Sequence, residues 1–297
     1  MTDQNATNLD ISEINKKKCN QSRRAKGIRK KGKRKGKGKG KRKRKRRKEK
    51  EEEMLTLDHT PLTKLVTQWK KKKKKEAKEK QPKRCAVLLT TGSLNPIHKG
   101  HIEMMEKAKE ELERNDKDVY VIGGYLSPSH DDYVSGKFSG HDFYNAKTRS
   151  HFVDLCVTNH DWLACDQWES QQSYFIDFPE VASRLHRQLN RIFETYRTAI
   201  EVYYVCGYDH ASKCHLLSGR LKRINVNTLV VARPGYSSHQ KHSIRPHPSV
   251  MVVDAPIDYD RSSTIVRQLL QTKDWKGLEP YLCPALLDYF KHHSHKQ

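Results

Sequence analysis

The segment Gly92-Ser93-Leu94-Asn95-Pro96-Ile97-His98-Lys99-Gly100-His101 joins a small-residue turn, an Asn-Pro pair and two histidines three positions apart. The chemistry those types suit is the holding of phosphate. Gly92 and Ser93 let backbone approach a ligand, and Asn95-Pro96 turns the chain. His98 and His101 bracket the start of a helix, where free N–H groups and the positive dipole end favour a polyphosphate. A second cluster, Arg261-Ser262-Ser263-Thr264-Ile265-Val266-Arg267, sets hydroxyls at a helix start and a cation one turn later. Ser263, Thr264 and Arg267 therefore suit the β- and γ-phosphates of a triphosphate. The commoner phosphate loops fail: no GxGxxG follows a strand, and Gly27 to Arg34 lacks both the Ser or Thr and the preceding strand of a Walker loop. No serine or cysteine triad is evident.

Something must carry these residues to one place. From Cys85 onward, brief β-branched runs alternate with amphipathic stretches, the pattern of parallel strands with crossover helices. Strands are predicted at Ala86 to Thr90, Val119 to Gly123, Trp162 to Asp166, Val202 to Cys206, Thr228 to Ala232 and Val250 to Asp254. The first helix, from about Gly100 to Arg114, puts Ile102, Met105, Ala108 and Leu112 on one face, which is core. The expected fold is α/β, a Rossmann-like doubly wound parallel sheet, with ligands at the carboxyl ends of the strands near the switch point. The windows to watch are 91–101, 124–137, 167–171, 207–210, 233–235 and 255–267.

With these motifs in hand, a family becomes visible. Gly92 to His101 resembles the GSFNPxHxGH signature of the nucleotidylyltransferase superfamily, with Leu94 in place of phenylalanine. Arg261 to Arg267 resembles the ISSTxxR motif of its adenylyltransferase branch, with arginine in place of the first isoleucine. Asp166-Gln167-Trp168-Glu169-Ser170 resembles the D-T-W-E-S segment of the nicotinamide or nicotinate mononucleotide adenylyltransferases, and Cys206-Gly207-Tyr208-Asp209 resembles their C-G-A-D. The likeness runs as separated motifs over roughly residues 86 to 268; the stretches 172–200, 211–226 and 236–248 match nothing.

The resemblance implies adenylyl transfer from ATP to a pyridine mononucleotide, giving NAD or its deamido form and pyrophosphate by direct in-line attack. By the same resemblance ATP meets Gly92, Ser93, His101, Gly207, Asp209, Ser263, Thr264 and Arg267. The mononucleotide meets Leu94, Tyr133, Lys137, Arg149, Trp168 and Arg233. His98, His101 and Arg267 face the charge that develops, and Mg²⁺ is held mainly by the ATP phosphates, with no metal-ligand set of the protein's own. The alternatives are a nucleotidylyltransferase for another phosphorylated substrate, such as phosphopantetheine, and a nucleotide-sensing RNA-binding protein.

The net charge of +24 is spread very unevenly over the 297 residues. Up to Arg84 there are 34 Lys and Arg against 10 Asp and Glu; from Cys85 the two balance at 25 each. A block such as Lys41 to Lys48 repels itself and has no apolar face, so residues 1–84 are expected to be a disordered tail and 85–297 the folded domain. Within the tail only Met54 to Trp69 has apolar content, and a short docking helix is expected there. Polybasic runs are read as nuclear or nucleolar addresses, through an import receptor, and as sequence-blind contacts to RNA or DNA. Seven cysteines without CxxC spacing point to a reduced compartment, and no membrane span or secretory leader is evident. The clusters His239, His242, His247 and His292, His293, His295 are read as surface histidines, since no cysteine accompanies them.

Overall fold

The computed structural model describes residues 56–79, 83–138, 143–232, 246–254 and 261–293. Its centre is a sheet of six parallel strands: β3 (Arg84–Gly92), β4 (Val119–Pro128), β5 (Leu163–Cys165), β6 (Ile200–Gly207), β7 (Val226–Ala232) and β8 (Val250–Asp254). They lie in the order β5-β4-β3-β6-β7-β8. Chain order thus reverses between β3 and β6, the switch point, and sheets of this type bind their ligands beyond the carboxyl ends of the strands there. All six predicted strands are present, and β4 runs five residues past its predicted end to Pro128.

Alternation along each strand builds two cores. Ala86 and Leu88 of β3, Tyr203 and Val205 of β6, and Leu229 and Val231 of β7 face one side. There they meet α2 (Lys99–Asn115), α4 (Ala146–Val157), α7 (Ser263–Gln271) and α9 (Pro284–His293). Val87 and Leu89, Val202 and Tyr204, and Val226 and Val230 face the other side, against α5 (Phe178–Phe193). Ile102, Met105, Ala108 and Leu112 of α2 are buried as their spacing predicts.

The folded unit begins earlier than the charge pattern suggests. It comprises Leu57–Gln297, so the boundary expected at residue 85 is corrected to 57. A hairpin, β1 (Thr56–Leu57) and β2 (Thr60–Pro61), leads into α1 (Thr63–Glu79), which includes the second lysine run. Asp58 and His59 both take positive φ, 39° and 66°, as a tight two-residue hairpin turn needs. Leu62, Leu65, Trp69, Lys72 and Glu76 recur at steps of three and four, and this stripe faces the domain. Leu62 and Leu65 join the second core, Trp69 meets Phe193 edge-on at 5.4 Å, and Lys72 is buried against Glu76 at 2.6 Å. β4 is shaped to receive α1: a Cβ on Gly123 would stand 3.3 Å from Leu65. Lys64 locks the seat by donating to the carbonyls of Val157 and Leu163 at 2.6 and 2.8 Å. Of the stretch Met54 to Trp69, whose docking was expected, the described residues from Leu57 onward belong to this larger strap. No helix among the described residues is long and apolar enough to cross a membrane.

Candidate active site

The turn after β3 is tied down from three directions. Asn95 joins Pro96 through a cis peptide; its side-chain oxygen accepts from the Tyr144 amide at 2.9 Å and its carbonyl from Arg267 Nη1 at 2.7 Å. The Pro96 carbonyl accepts from the Ser263 hydroxyl at 2.8 Å. Two motifs more than 160 residues apart in sequence therefore meet in direct hydrogen bonds. Leu94 has a positive φ of 44°, a strained position for a branched side chain. That side chain is buried in the core, so any contact of Leu94 with the expected mononucleotide is through its backbone.

The start of α2 follows. His98 is its N-cap and is buried, with its ring 3.9 Å from that of His101. The His98 amide donates to Nδ1 of His101 at 3.2 Å. An amide can only donate, so Nδ1 bears no proton there, and the neutral ring carries its hydrogen on Nε2. Desolvation pushes His101 down to about 4. At neutral pH it is then an uncharged donor, which a bound polyphosphate would draw back toward the charged form. Gly100 makes the packing possible, since a Cβ would lie 3.0 Å from His98 Nδ1. Lys99 fastens the helix start to the segment between α8 (Trp275–Leu278) and α9 through the carbonyls of Glu279 and Tyr281, both at 2.7 Å.

Gly92 and Gly207 end the two strands that flank the switch point, and a Cβ built on either meets no atom within 4 Å among the described residues. Asp209 stands exposed in the first turn of α6 (Tyr208–Lys213). A chain of hydrogen bonds that sequence reading did not identify crosses beneath: Thr91 Oγ1 to Tyr204 Oη at 3.0 Å, and Tyr204 Oη to His210 Nε2 at 3.2 Å. Thr264, exposed, lies 3.3 Å from Arg267 Nη2. The Arg267 guanidinium sits 4.6 Å above Phe138, and Lys137 Nζ is 6.0 Å from the same ring. Lys137, at the end of α3 (Asp131–Lys137), also lies near enough to His210 to lower its pKa, after the larger effect of burial. Two cations thus gather at the mouth.

Arg149 differs from expectation. It is fully buried and donates to the carbonyls of Tyr144, Ser93 and Ser129 and to Asp131, all within 2.6 to 2.8 Å. With four of its five N–H donors used in this way it clamps the Ser93 turn to the end of β4. Tyr133 is exposed and stacks on Phe175 at 4.9 Å. Ser93 Oγ is buried without a hydrogen-bond partner among the described residues. Arg233 lies outside the described residues, as do His239, His242 and His295.

On the far wall, Trp168 is half-buried, with the Arg184 guanidinium 4.8 Å above its ring. Glu169 beside it is buried, 3.3 Å from the Ser127 hydroxyl, and desolvation raises its carboxyl to about 8. Among the described residues, no group of three or more His, Cys, Asp and Glu could hold a metal.

A Rossmann strand order, a tight turn running into a histidine-capped helix, and a hydroxyl-and-arginine helix bonded to that turn together define an α/β domain with its two sequence motifs joined at the switch point. The family model described as cytidylyltransferase-like matches residues 89–269, and the chain belongs to that family. It is 43% identical over 86 residues to nicotinamide/nicotinic acid mononucleotide adenylyltransferase 2 of Xenopus tropicalis, covering 29% of this chain and 26% of that protein. It is 33% identical over 129 residues to nicotinamide/nicotinic acid mononucleotide adenylyltransferase of Arabidopsis thaliana, covering 43% and 51%. The matches therefore span a quarter to a half of those relatives. Among solved structures it is similar to Plasmodium falciparum nicotinic acid mononucleotide adenylyltransferase complexed with NaAD, at TM-score 0.49 and 15% identity, covering 71% of this chain and 97% of that one.

Proposed function

We propose that this chain transfers the adenylyl group of MgATP to the 5′-phosphate of nicotinamide or nicotinate mononucleotide, forming NAD or deamido-NAD and pyrophosphate. The observation that carries the reading is the pair of hydrogen bonds from Ser263 and Arg267 to the Asn95-Pro96 turn. They bring the two phosphate-facing motifs to one mouth beside the open space over Gly92 and Gly207. The relatives' names, over the parts that match, point to the same reaction.

In this reading the nucleotide lies along Gly92, Ser93, Gly207 and Asp209, with its triphosphate over the start of α2 and against Thr264 and Arg267. A phosphate oxygen of the mononucleotide attacks the α-phosphorus, and the bond to the bridging α–β oxygen breaks. A phosphate monoester is largely ionised at neutral pH, so no general base is required. The protein positions the groups and stabilises charge: His101 Nε2–H, His98, Arg267 and Lys137 face the oxygens on which negative charge grows. Mg²⁺ enters with ATP as part of the substrate. Trp168 offers the pyridine ring its face opposite Arg184.

The basic residues before the folded unit serve a separate purpose in this reading: nuclear or nucleolar accumulation through an import receptor, and salt-sensitive contact with RNA or DNA. The test of the catalytic reading is incubation of the full chain with Mg²⁺, ATP or CTP, and a panel of phosphate monoesters that includes both pyridine mononucleotides and phosphopantetheine. Product with ATP and a pyridine mononucleotide alone is expected. Product from another monoester, or from CTP in preference, overturns the assignment.

A further inference from the structure

The strap that precedes the sheet begins with a hairpin, and the hairpin reaches the wall that carries Trp168. Thr60 is fully buried at its core. Its hydroxyl donates to Asp166 Oδ1 at 2.6 Å and accepts from Arg184 Nη1 at 2.6 Å. Arg184 Nη2 donates in turn to the carbonyls of Leu57 and Asp58, at 3.0 and 3.1 Å. The His59 carbonyl accepts from the Gln167 amide at 3.1 Å, and the Trp168 amide donates to Asp166 Oδ1 at 3.2 Å. The hairpin thus holds Arg184 by three bonds, and the Arg184 guanidinium carbon lies 4.8 Å from the centre of the indole.

This network is a poor device for stability alone. Asp166 and Arg184 are both buried, yet their nearest charged atoms stand 4.0 Å apart. Asp166 Oδ2 and Arg184 Nε have no hydrogen-bond partner among the described residues. A buried ion pair with unsatisfied atoms costs more in desolvation than it returns, and apolar side chains would fill the same space more cheaply. What the network does provide is geometry. A planar guanidinium held at its fork fixes the height and tilt of the ring beneath it.

We propose that Arg184 is a positioning residue for Trp168, held by the Thr56–Pro61 hairpin, so that the strap before the sheet sets how the site receives the ring of its mononucleotide. The inference rests on the assignment of Trp168 under the proposed function. The hairpin makes no contact with substrate in this arrangement; it acts through Arg184. Buried fork-like donors tolerate exchange badly, so lysine at 184 keeps the charge and loses the plane.

The experiment has two arms, both in the full chain. The first needs no substrate: acrylamide quenching of Trp168 emission, taken as the difference between each protein and its Trp168→Phe counterpart. Arg184→Lys and Thr60→Val should raise that quenching at least twofold, and Thr60→Ser should not. The second arm measures both substrate KM values. Arg184→Lys and Thr60→Val should raise KM for the mononucleotide about tenfold, the order of the stacking lost when Trp168 is no longer held in place, and leave KM for ATP within twofold. The double variant Asp166→Asn/Arg184→Met leaves no lone buried charge and should show the same split if a single variant fails to fold. Unchanged quenching, or an equal change in both KM values, overturns the positioning role. Increased quenching with an unchanged mononucleotide KM also overturns it. A wild type that makes no dinucleotide removes the proposed function, while the quenching arm still decides whether Arg184 positions the ring.

Discussion

Glutamine at position 169 probes the far wall of the site through stability. Glu169 is 1% exposed, and desolvation carries its carboxyl from 4.5 to about 8 against hydrogen bonds from Ser129 and Ser127. The folded chain keeps that proton up to about pH 8, whereas the unfolded chain releases it near 4.5. Across the window the folded state binds the extra proton, so stability falls as pH rises and levels off beyond it. At about 1.4 kcal/mol per pH unit the full gap corresponds to roughly 5 kcal/mol, which structural relaxation and water penetration reduce to about 2–3 kcal/mol. The Glu169→Gln chain has no such proton. Its advantage over the wild type should be small at pH 5 and reach that value by pH 8. Taking the difference cancels groups of opposite sign: His101, lowered to about 4, and Cys283, lowered to about 7, each make stability rise with pH in their own windows. Urea unfolding at pH 5, 6.5 and 8 supplies the numbers. A difference that stays flat would refute the reasoning, because Glu169 would then ionise like an exposed carboxylate.

His101→Ala should lower kcat by at least about a hundredfold with near-UV circular dichroism unchanged, the usual cost of removing one preorganised donor. Gly92→Ala should keep its unfolding midpoint within about 2 °C, because the added methyl meets no atom of the described residues, yet raise KM for ATP at least about tenfold; calorimetry and initial rates check the two halves. Trp168→Ala should raise KM for the mononucleotide and spare that for ATP. Truncation should separate tail from strap. Removing residues 1–55 should leave folding and catalysis intact and abolish salt-dependent RNA retention, whereas removing 1–84 takes Leu62, Leu65 and Trp69 from the core and should cost about 5 kcal/mol or more at 1.5–3 kcal/mol for each large side chain, read by chemical denaturation.

The strands were legible because their apolar runs are short, β-branched and bounded by turns, and the turn into the histidine-capped helix because Gly-Ser, Asn-Pro and two histidines share one window. The meeting of Arg267 with the Asn95 carbonyl follows from parallel topology, since both segments leave the sheet at its carboxyl end. The structural part played by Arg149 was not legible: an arginine bonded to three backbone carbonyls and a carboxylate has the same letter and spacing as one that binds only phosphate. The strap was hidden by charge. Its buried stripe ends in Lys72 and Glu76, which satisfy each other one turn apart, and lysine is a good helix former even in a run that reads as solvated tail. Arg184 and Thr60 carried no signal, because each is tied to a partner more than 100 residues away.

The central claim is that an adenylyl group moves from ATP to a mononucleotide phosphate at this switch point, and the fate of a label tests it most directly. With the full chain, Mg²⁺ and nicotinamide or nicotinate mononucleotide, label placed in the α-phosphate of ATP should appear in the dinucleotide, and label in the γ-phosphate should appear only in pyrophosphate. Label from the γ-position in the pyridine product, or none from the α-position while ATP is consumed, would contradict the account.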